Sequence, residues 1–239
     1  MDVKPDIKSP ESKKKQVEHM FDSISPQYDF LNHALSMGID KIWRRKTIEA
    51  LRELQPKKIL DVATGTGDLA IEALRLNPDL VIGIDISEGM LAIGNQKIAK
   101  AGLSKVKLIK GDSEDINFPD FEFDAVTVAF GVRNFGNLEK GLSEMLRVLK
   151  KEGQVAILEF SKPKAFPFKQ GYALYFNAIL PLIGRLFSKS NTAYTYLPQS
   201  VNAFPDGNEF IGIMTKCGYK NCVQKRFMFG ICTLYLAIK

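Results

Sequence analysis

The sequence predicts a doubly wound α/β sheet: a parallel core completed by an antiparallel pair of strands. Five short apolar bursts, at residues 59–62, 80–86, 106–109, 123–130 and 154–160, alternate with stretches of helical periodicity. The bursts are apolar almost throughout, as expected for strands buried on both faces beneath crossover helices. The last two strand-like runs, 219–224 and 230–238, are too close together for a parallel crossover, so they pair antiparallel.

The elements follow in order. Residues 1–15 are charged, with Lys13, Lys14 and Lys15 in a row, and read as a frayed tail. Residues 16–25 and 42–54 read as helices, with 28–38 between them; together they form an N-terminal helical cap. From Lys57 the texture changes. The first strand meets a glycine-threonine turn and a helix over 68–76, and the second leads into a helix over 88–101. The third strand ends at Gly111-Asp112. The fourth precedes a helix over 138–150, and the fifth follows a turn at Glu152-Gly153. Residues 164–205 break the rhythm with aromatics, and a helix over 208–217 precedes the final pair. No repeat or linker divides the chain, so 1–239 is expected to be one domain.

Hydrophobic residues make up 45% of the chain and charged residues 25%, enough for a core without disulfide or metal staples. The net charge of +6 fits nucleic acid, an anionic membrane surface or no specific partner. Cys217, Cys222 and Cys232 lack C-x-x-C spacing and read as reduced thiols of a cytoplasmic protein. The N-terminus has no apolar run of a secretory kind. The apolar stretch 178–184 contains Pro181 and is far shorter than the roughly twenty residues of a membrane span.

Open α/β sheets bind ligands beyond the carboxyl ends of their strands. After the first strand comes Asp61-Val62-Ala63-Thr64-Gly65-Thr66-Gly67-Asp68. Gly65 and Gly67 let backbone approach a ligand closely. Gly65-x-Gly67-x-x-Ala70 also satisfies a dinucleotide fingerprint, with Asp85 near the place of its ribose-binding acid. Asp61 separates the readings, because a carboxylate there repels a pyrophosphate and suits the ammonium of a methionine moiety. Asp85 can accept from two ribose hydroxyls, each such bond to a charged acceptor being worth about 1.5–3 kcal/mol. Asp112 and Ser113 offer an acceptor and a hydroxyl for an adenine edge. Taken singly, each acid reads as a helix N-cap; three at successive strand ends read as a ligand site.

This order of acids and glycines resembles the Class I S-adenosylmethionine methyltransferases over roughly residues 57–160 and, with the terminal strands, most of the chain. The resemblance implies a Rossmann-like seven-stranded sheet whose last strand is antiparallel. It implies S-adenosyl-L-methionine as cofactor, with Thr66, Asp85, Asp112 and Ser113 at its methionine, ribose and adenine parts. Residues 57–160 then form the cofactor-binding half, 1–55 the tail and cap, and 161–239 a substrate lid with the C-terminal strands. Residues 28–38 (Tyr-Asp-Phe-Leu-Asn-His-Ala-Leu-Ser-Met-Gly), Trp43-Arg44, Phe130 to Asn134, Arg147 to Lys150 and Leu158 to Ser161 narrow this further. They are similar to signatures of the ubiquinone/menaquinone biosynthesis C-methyltransferases. That family implies methylation of a ring carbon of a prenylated quinol, with demethylmenaquinol favoured and a prenylated benzoquinol as the alternative. His33, Asp40 and Lys41 depart from its more usual Asp, His and Arg, Lys151-Glu152 from a Pro-Gly turn, and Ala129 from a Ser.

Carbon methylation needs alignment, exclusion of water and stabilisation of a phenolate, without a metal or covalent nucleophile. Arg133 is expected to stabilise the oxyanion and Asn134 to orient a hydroxyl. Tyr28 and Asp29 can relay a proton if the cap folds over the pocket. His19 and His33 are the only histidines and lack an evident third partner. Residues 160–205 contain no Asp or Glu, yet carry Lys162, Lys164, Lys169, Arg185 and Lys189 among aromatics. Such a segment can dock on anionic lipid at the inner membrane face while admitting a prenyl tail, or can simply be a lid with a solvated basic face. A homodimer is compatible with the sequence and not specified by it.

Nucleic acid is not expected as a partner. Residues 130–134 lack the proline pair usual in base-amino methylation, and no cysteine precedes Cys217 to serve in cytosine chemistry. A nicotinamide dehydrogenase is opposed by Asp61 and the terminal strand pair. A cofactor- or lipid-binding module without turnover is the remaining alternative, separated by an assay for methyl transfer.

Overall fold

The computed structural model describes residues 3–174 and 192–239. Seven strands form one sheet in the order β3-β2-β1-β4-β5-β7-β6. They are β1 Lys58–Val62, β2 Leu80–Asp85, β3 Val106–Lys110, β4 Phe123–Ala129, β5 Leu149–Phe160, β6 Lys220–Phe227 and β7 Cys232–Ile238. β1 to β5 pair in parallel, and β7 pairs antiparallel with both β5 and β6. The doubly wound sheet with its antiparallel close is thus the one expected. Order reverses between β1 and β4, which puts the topological switch point just after Val62 and Ala129.

Helices cover both faces: α1 Lys13–Leu35, α2 Ile39–Glu49, α3 Asp68–Glu72, α4 Glu88–Ala101, α5 Leu138–Val148, α6 Phe168–Leu174, α7 Thr192–Ala203 and α8 Asn208–Lys216. On one face Phe123, Leu142, Met145, Phe210 and Tyr235 pack together; on the other, Trp43, Ile48, Leu51, Ile59 and Leu69. Val155 to Leu158 of β5 are completely buried, which explains their unbroken apolar run. Val155, Ile157 and Leu158 each contribute roughly 1.5–3 kcal/mol by leaving water.

Three expectations change. First, residues 13–15 are not a frayed tail, and 28–35 do not break the cap: α1 is one helix. Ser12 caps it, its Oγ accepting from Lys15 N at 3.4 Å. Val17, Met20, Phe21, Ile24 and Tyr28 recur at helical spacing. Pro26 interrupts the backbone ladder because it has no N–H to donate to Asp22 O, but Ser25 Oγ donates to that carbonyl at 3.0 Å. Second, β5 begins at Leu149 and runs through the expected turn at Glu152-Gly153, the irregularity absorbed by a register shift opposite Phe123 and Ala125. Third, the helix expected over 68–76 is α-helical only to Glu72, then continues as a 3₁₀ turn. Tyr175, Arg185 and Lys189 of the basic aromatic stretch lie outside the described residues. No helix among the described residues is long and apolar enough to cross a membrane.

Candidate functional site

At the switch point the chain leaves β1 through backbone that favours glycine, with Gly65 at φ 57° and Gly67 at φ 81°. The turn is pinned from below and from the side. Asp61 is fully buried, and its two oxygens accept from Thr64 Oγ1 at 2.6 Å and Thr127 Oγ1 at 2.7 Å. Burial pushes the Asp61 carboxyl up to about 6, against the pull of those two hydroxyls. Gly83 of β2 keeps the turn's support close: a Cβ there would lie 2.6 Å from Thr64 Oγ1. Asp85 accepts from Gly65 N at 2.8 Å and from Ser87 N at 2.9 Å. Burial raises its carboxyl, while these backbone N–H groups oppose the rise. A carboxylate has about four lone-pair sites, so Asp85 keeps acceptor capacity for a ligand.

A crevice of about 70 Å³ is lined by Gly65, Asp85, Gly111, Asp112, Ser113 and Glu114, together with Lys14, Val17, Phe21 and Tyr28 of α1. Gly65, Asp85, Asp112 and Ser113 therefore line one crevice. Asp61 and Thr66 do not line the crevice. Asp61 lies beneath the turn, and the Thr66 hydroxyl donates to Asp29 at 2.5 Å. Asp29 is likewise drawn away from both cavities, its other oxygen paired with Lys97 at 2.8 Å. Lys97 also holds Asp68 at 2.6 Å. This cluster fastens α1 to α3 and α4, a positional role rather than the proton relay expected of Asp29.

Lys14 reaches Asp112 at 2.6 Å and Glu114 at 3.3 Å. Lys13 is buried, its ammonium donating to Arg133 O at 3.0 Å and Phe135 O at 2.9 Å. Asp22 accepts from Ser87 Oγ at 2.6 Å and Gly89 N at 2.9 Å. α1 is thus tied across the crevice at several points.

A second cavity of about 380 Å³ adjoins the first, sharing Phe21, Tyr28, Phe130 and Asn134 as walls. It is mostly apolar. Trp43, Phe130 and Phe160 line it as a ladder of rings, 6.3 Å and 4.5 Å between successive centroids. Guanidinium groups flank the ladder, Arg44 at 5.7 Å from the Phe130 ring and Arg133 at 5.5 Å from Phe160. Arg133 is buried and pairs with the fully buried Glu159 at 2.7 Å. Burial drives the Glu159 carboxyl upward, opposed first by the Arg133 charge and then by backbone N–H groups. Phe160 N donates to Glu159 Oε1 at 2.8 Å and Arg133 N to Oε2 at 3.3 Å. Tyr28 stands at the junction of the cavities, its phenol raised by burial against Asn32, Arg44 and Arg133. Arg44 pairs with Asp40, which also accepts from Ser36 Oγ at 2.5 Å. His33 Nδ1 lies 2.9 Å from Asp40 Oδ2.

Arg133, Asn134 and Tyr28 therefore gather at the second cavity. Sequence reasoning missed Glu159 as a partner, although a carboxylate between Leu158 and Phe160 in an apolar strand signals a buried counter-charge. It also missed Lys13 and Lys14, and Tyr196, which lines the second cavity from α7. No local pattern marks these.

The donor set of the crevice suits a nucleoside with a cationic tail: carboxylates at Asp85 and Asp112, the Ser113 hydroxyl and the charge of Asp61 behind a glycine turn. Its volume, with the α1 side chains in place, is several times below the roughly 300–1,000 Å³ of small-molecule sites. Binding a nucleoside requires α1 to yield.

Fold and crevice together define an S-adenosylmethionine-methyltransferase architecture. A SAM-dependent methyltransferase of Thermotoga maritima shares the fold with a TM-score of 0.66 at 17% identity, over 93% of this chain and 99% of that one. The chain belongs to the ubiE/COQ5 methyltransferase family, whose model matches residues 9–239. It is 51% identical to the demethylmenaquinone methyltransferase of Bacteroides fragilis, over 95% of this chain and 94% of that protein. It is 45% identical to the ubiquinone/menaquinone biosynthesis C-methyltransferase of Geobacter sulfurreducens, over 95% and 90%.

Proposed function

We propose that this chain transfers the methyl group of S-adenosylmethionine to a ring carbon of demethylmenaquinol, giving menaquinol. The observation that carries this reading is the shared wall at Tyr28, Phe130 and Asn134, where a carboxylate-edged crevice meets an apolar cavity holding a buried guanidinium. A polar nucleotide and a prenylated ring require these two environments side by side. The names of the Bacteroides and Geobacter relatives support the same substrate class.

When bound, S-adenosylmethionine supplies an electrophilic methyl group. Asp85 is assigned to the ribose hydroxyls, Asp112 and Ser113 to the adenine edge, and Asp61 to the electrostatics of the turn. Arg133, held by Glu159, stabilises negative charge on a ring oxygen, and charge stabilisation of this kind is strongest where water is excluded. The Phe130 and Phe160 rings exclude it. Tyr28, held protonated by burial, presents its hydroxyl between the cofactor crevice and the ring. Asn134 orients the acceptor.

The mouth of the apolar cavity is assigned to the membrane surface. Phe168 and Met228 line the cavity, Phe168 stacks on Phe229 at 3.6 Å, and Phe229, Phe166 and Leu174 are 65%, 80% and 62% exposed. Exposed Lys164 and Lys169 lie in the same segment. An apolar rim with basic neighbours suits a cytoplasmic protein resting on an anionic inner leaflet, from which a prenyl chain can be drawn.

The test is incubation of purified protein with methyl-labelled S-adenosylmethionine and each demethylated quinol, naphthoquinol or benzoquinol, under reducing conditions. Label is expected in the naphthoquinol. Label only in the benzoquinol would move the substrate to the ubiquinone route, and label in neither would refute the reading.

A further inference from the structure

The wall of the apolar cavity carries more polar chemistry than Arg133 and Asn134 alone. Three side-chain atoms of cavity-lining residues are buried without a hydrogen-bond partner among the described residues: Arg133 Nε, Asn134 Oδ1 and Tyr196 Oη. Leaving a buried polar group unpaired is costly, and such groups are few in native proteins. Three on side chains that line one cavity point to a ligand that satisfies them together.

Each atom's role is set by its surroundings. Arg133 Nη1 is engaged by Glu159 and by Phe130 O, whereas its Nε has no partner among the described residues. Asn134 Nδ2 faces Phe130 O at 3.5 Å, an oxygen that can only accept, so Oδ1 is the free end of the amide. Tyr196 is 2% exposed, its ring packed against Val17 and Met20 of α1. Burial pushes its phenol up to about 12, so it stays protonated and donates. The set comprises two donors and one acceptor. A phenolic oxygen with its proton matches it, accepting from Nε and Oη while donating to Oδ1. A quinone oxygen, which only accepts, leaves Oδ1 unpaired.

We propose that Tyr196 is a further substrate-contacting residue whose hydroxyl, with Arg133 Nε and Asn134 Oδ1, forms the seat of the acceptor's ring oxygen. This rests on the quinol reading above and adds to it a donor from α7, a helix outside the sheet. It also makes the seat selective for the reduced ring.

The test compares wild type with Tyr196→Phe, which keeps the ring and removes only the hydroxyl. Turnover is read with the quinol acceptor. Binding is read separately through quenching of Trp43, the single tryptophan and a wall of the cavity, by 1,4-dihydroxynaphthalene and 1,4-naphthoquinone. The variant is expected to lose about 3- to 10-fold in kcat/KM, the range for a lost hydrogen bond between neutral groups. Its affinity for dihydroxynaphthalene falls, its affinity for S-adenosylmethionine is unchanged, and its thermal midpoint does not drop, because the hydroxyl has no partner to lose among the described residues. Wild-type kcat/KM in the variant, or a midpoint lowered by several degrees, would overturn the proposal while leaving the quinol reading intact. If wild type methylates neither quinol, that reading falls by itself. Tyr196 is then judged by the binding assay, where unchanged affinity for dihydroxynaphthalene overturns it and weakened affinity upholds the contact.

Discussion

Asp61→Asn should stabilise the protein at neutral pH and weaken its hold on the cofactor. The Asp61 carboxyl titrates near 6 in the folded chain against an ordinary value of 3.8, because burial disfavours its charge. The difference is about 2 units, and at about 1.36 kcal/mol per unit the penalty is about 3 kcal/mol. Its sign follows from proton counting. Between pH 3.8 and 6 the folded state binds the proton and the unfolded state has released it, so stability falls as pH rises. Below 3.8 the penalty is absent, and above 6 it is complete. An asparagine does not titrate, and the Thr64 and Thr127 hydroxyls can rotate to meet one acceptor and one donor. Urea denaturation of both proteins from pH 4.5 to 8 should show the variant's advantage growing by about 1.4 kcal/mol per pH unit up to pH 6, then levelling. A constant difference across that range would refute the assignment. Calorimetry with S-adenosylmethionine at pH 8 should show weaker binding by the variant, because the negative charge behind the glycine turn is gone. Gain of stability with loss of affinity is the signature of a buried charge retained for a ligand.

Other outcomes follow from the same geometry. Arg133→Ala strands the fully buried Glu159 and should cost about 3–5 kcal/mol in urea denaturation; Arg133→Met with Glu159→Leu should recover most of that stability without recovering turnover. Asp85→Ala removes the acceptor of Gly65 and Ser87 along with the ribose contact, so calorimetry should detect no cofactor binding, whereas the Arg133→Met/Glu159→Leu protein should still bind. Lys14→Ala breaks only a partly exposed pair worth about 1 kcal/mol or less, yet should speed cofactor association several-fold in stopped flow, because Lys14 lines the crevice and holds Asp112. An unchanged association rate would show that α1 opens without releasing this pair.

What was legible in the sequence and what was not divide along one physical line. The strands were readable because Val155 to Leu158 and their counterparts are buried on both faces, and that burial is written locally as unbroken apolar runs. Gly65, Asp85, Asp112 and Ser113 were readable because strand ends in an open sheet share one rim, so sequence order maps onto position. Lys13 and Lys14 were not, since a lysine run looks solvated until Arg133, Phe135, Asp112 and Glu114, roughly a hundred residues away, accept its ammonium groups. Asp61 shows both halves at once. Its charge beside the glycines argued for a cationic ligand, but its partner Thr127 belongs to the neighbouring strand, and only pairing of β1 with β4 brings that hydroxyl to it. Thr66 and Asp29 were misplaced for the same reason: the lysine that draws them from the crevice, Lys97, lies on α4, and no local spacing announces it. A residue's type can be argued from its neighbours in the chain, whereas the direction a polar side chain faces is settled by whichever buried partner leaves the fewest charges unpaired.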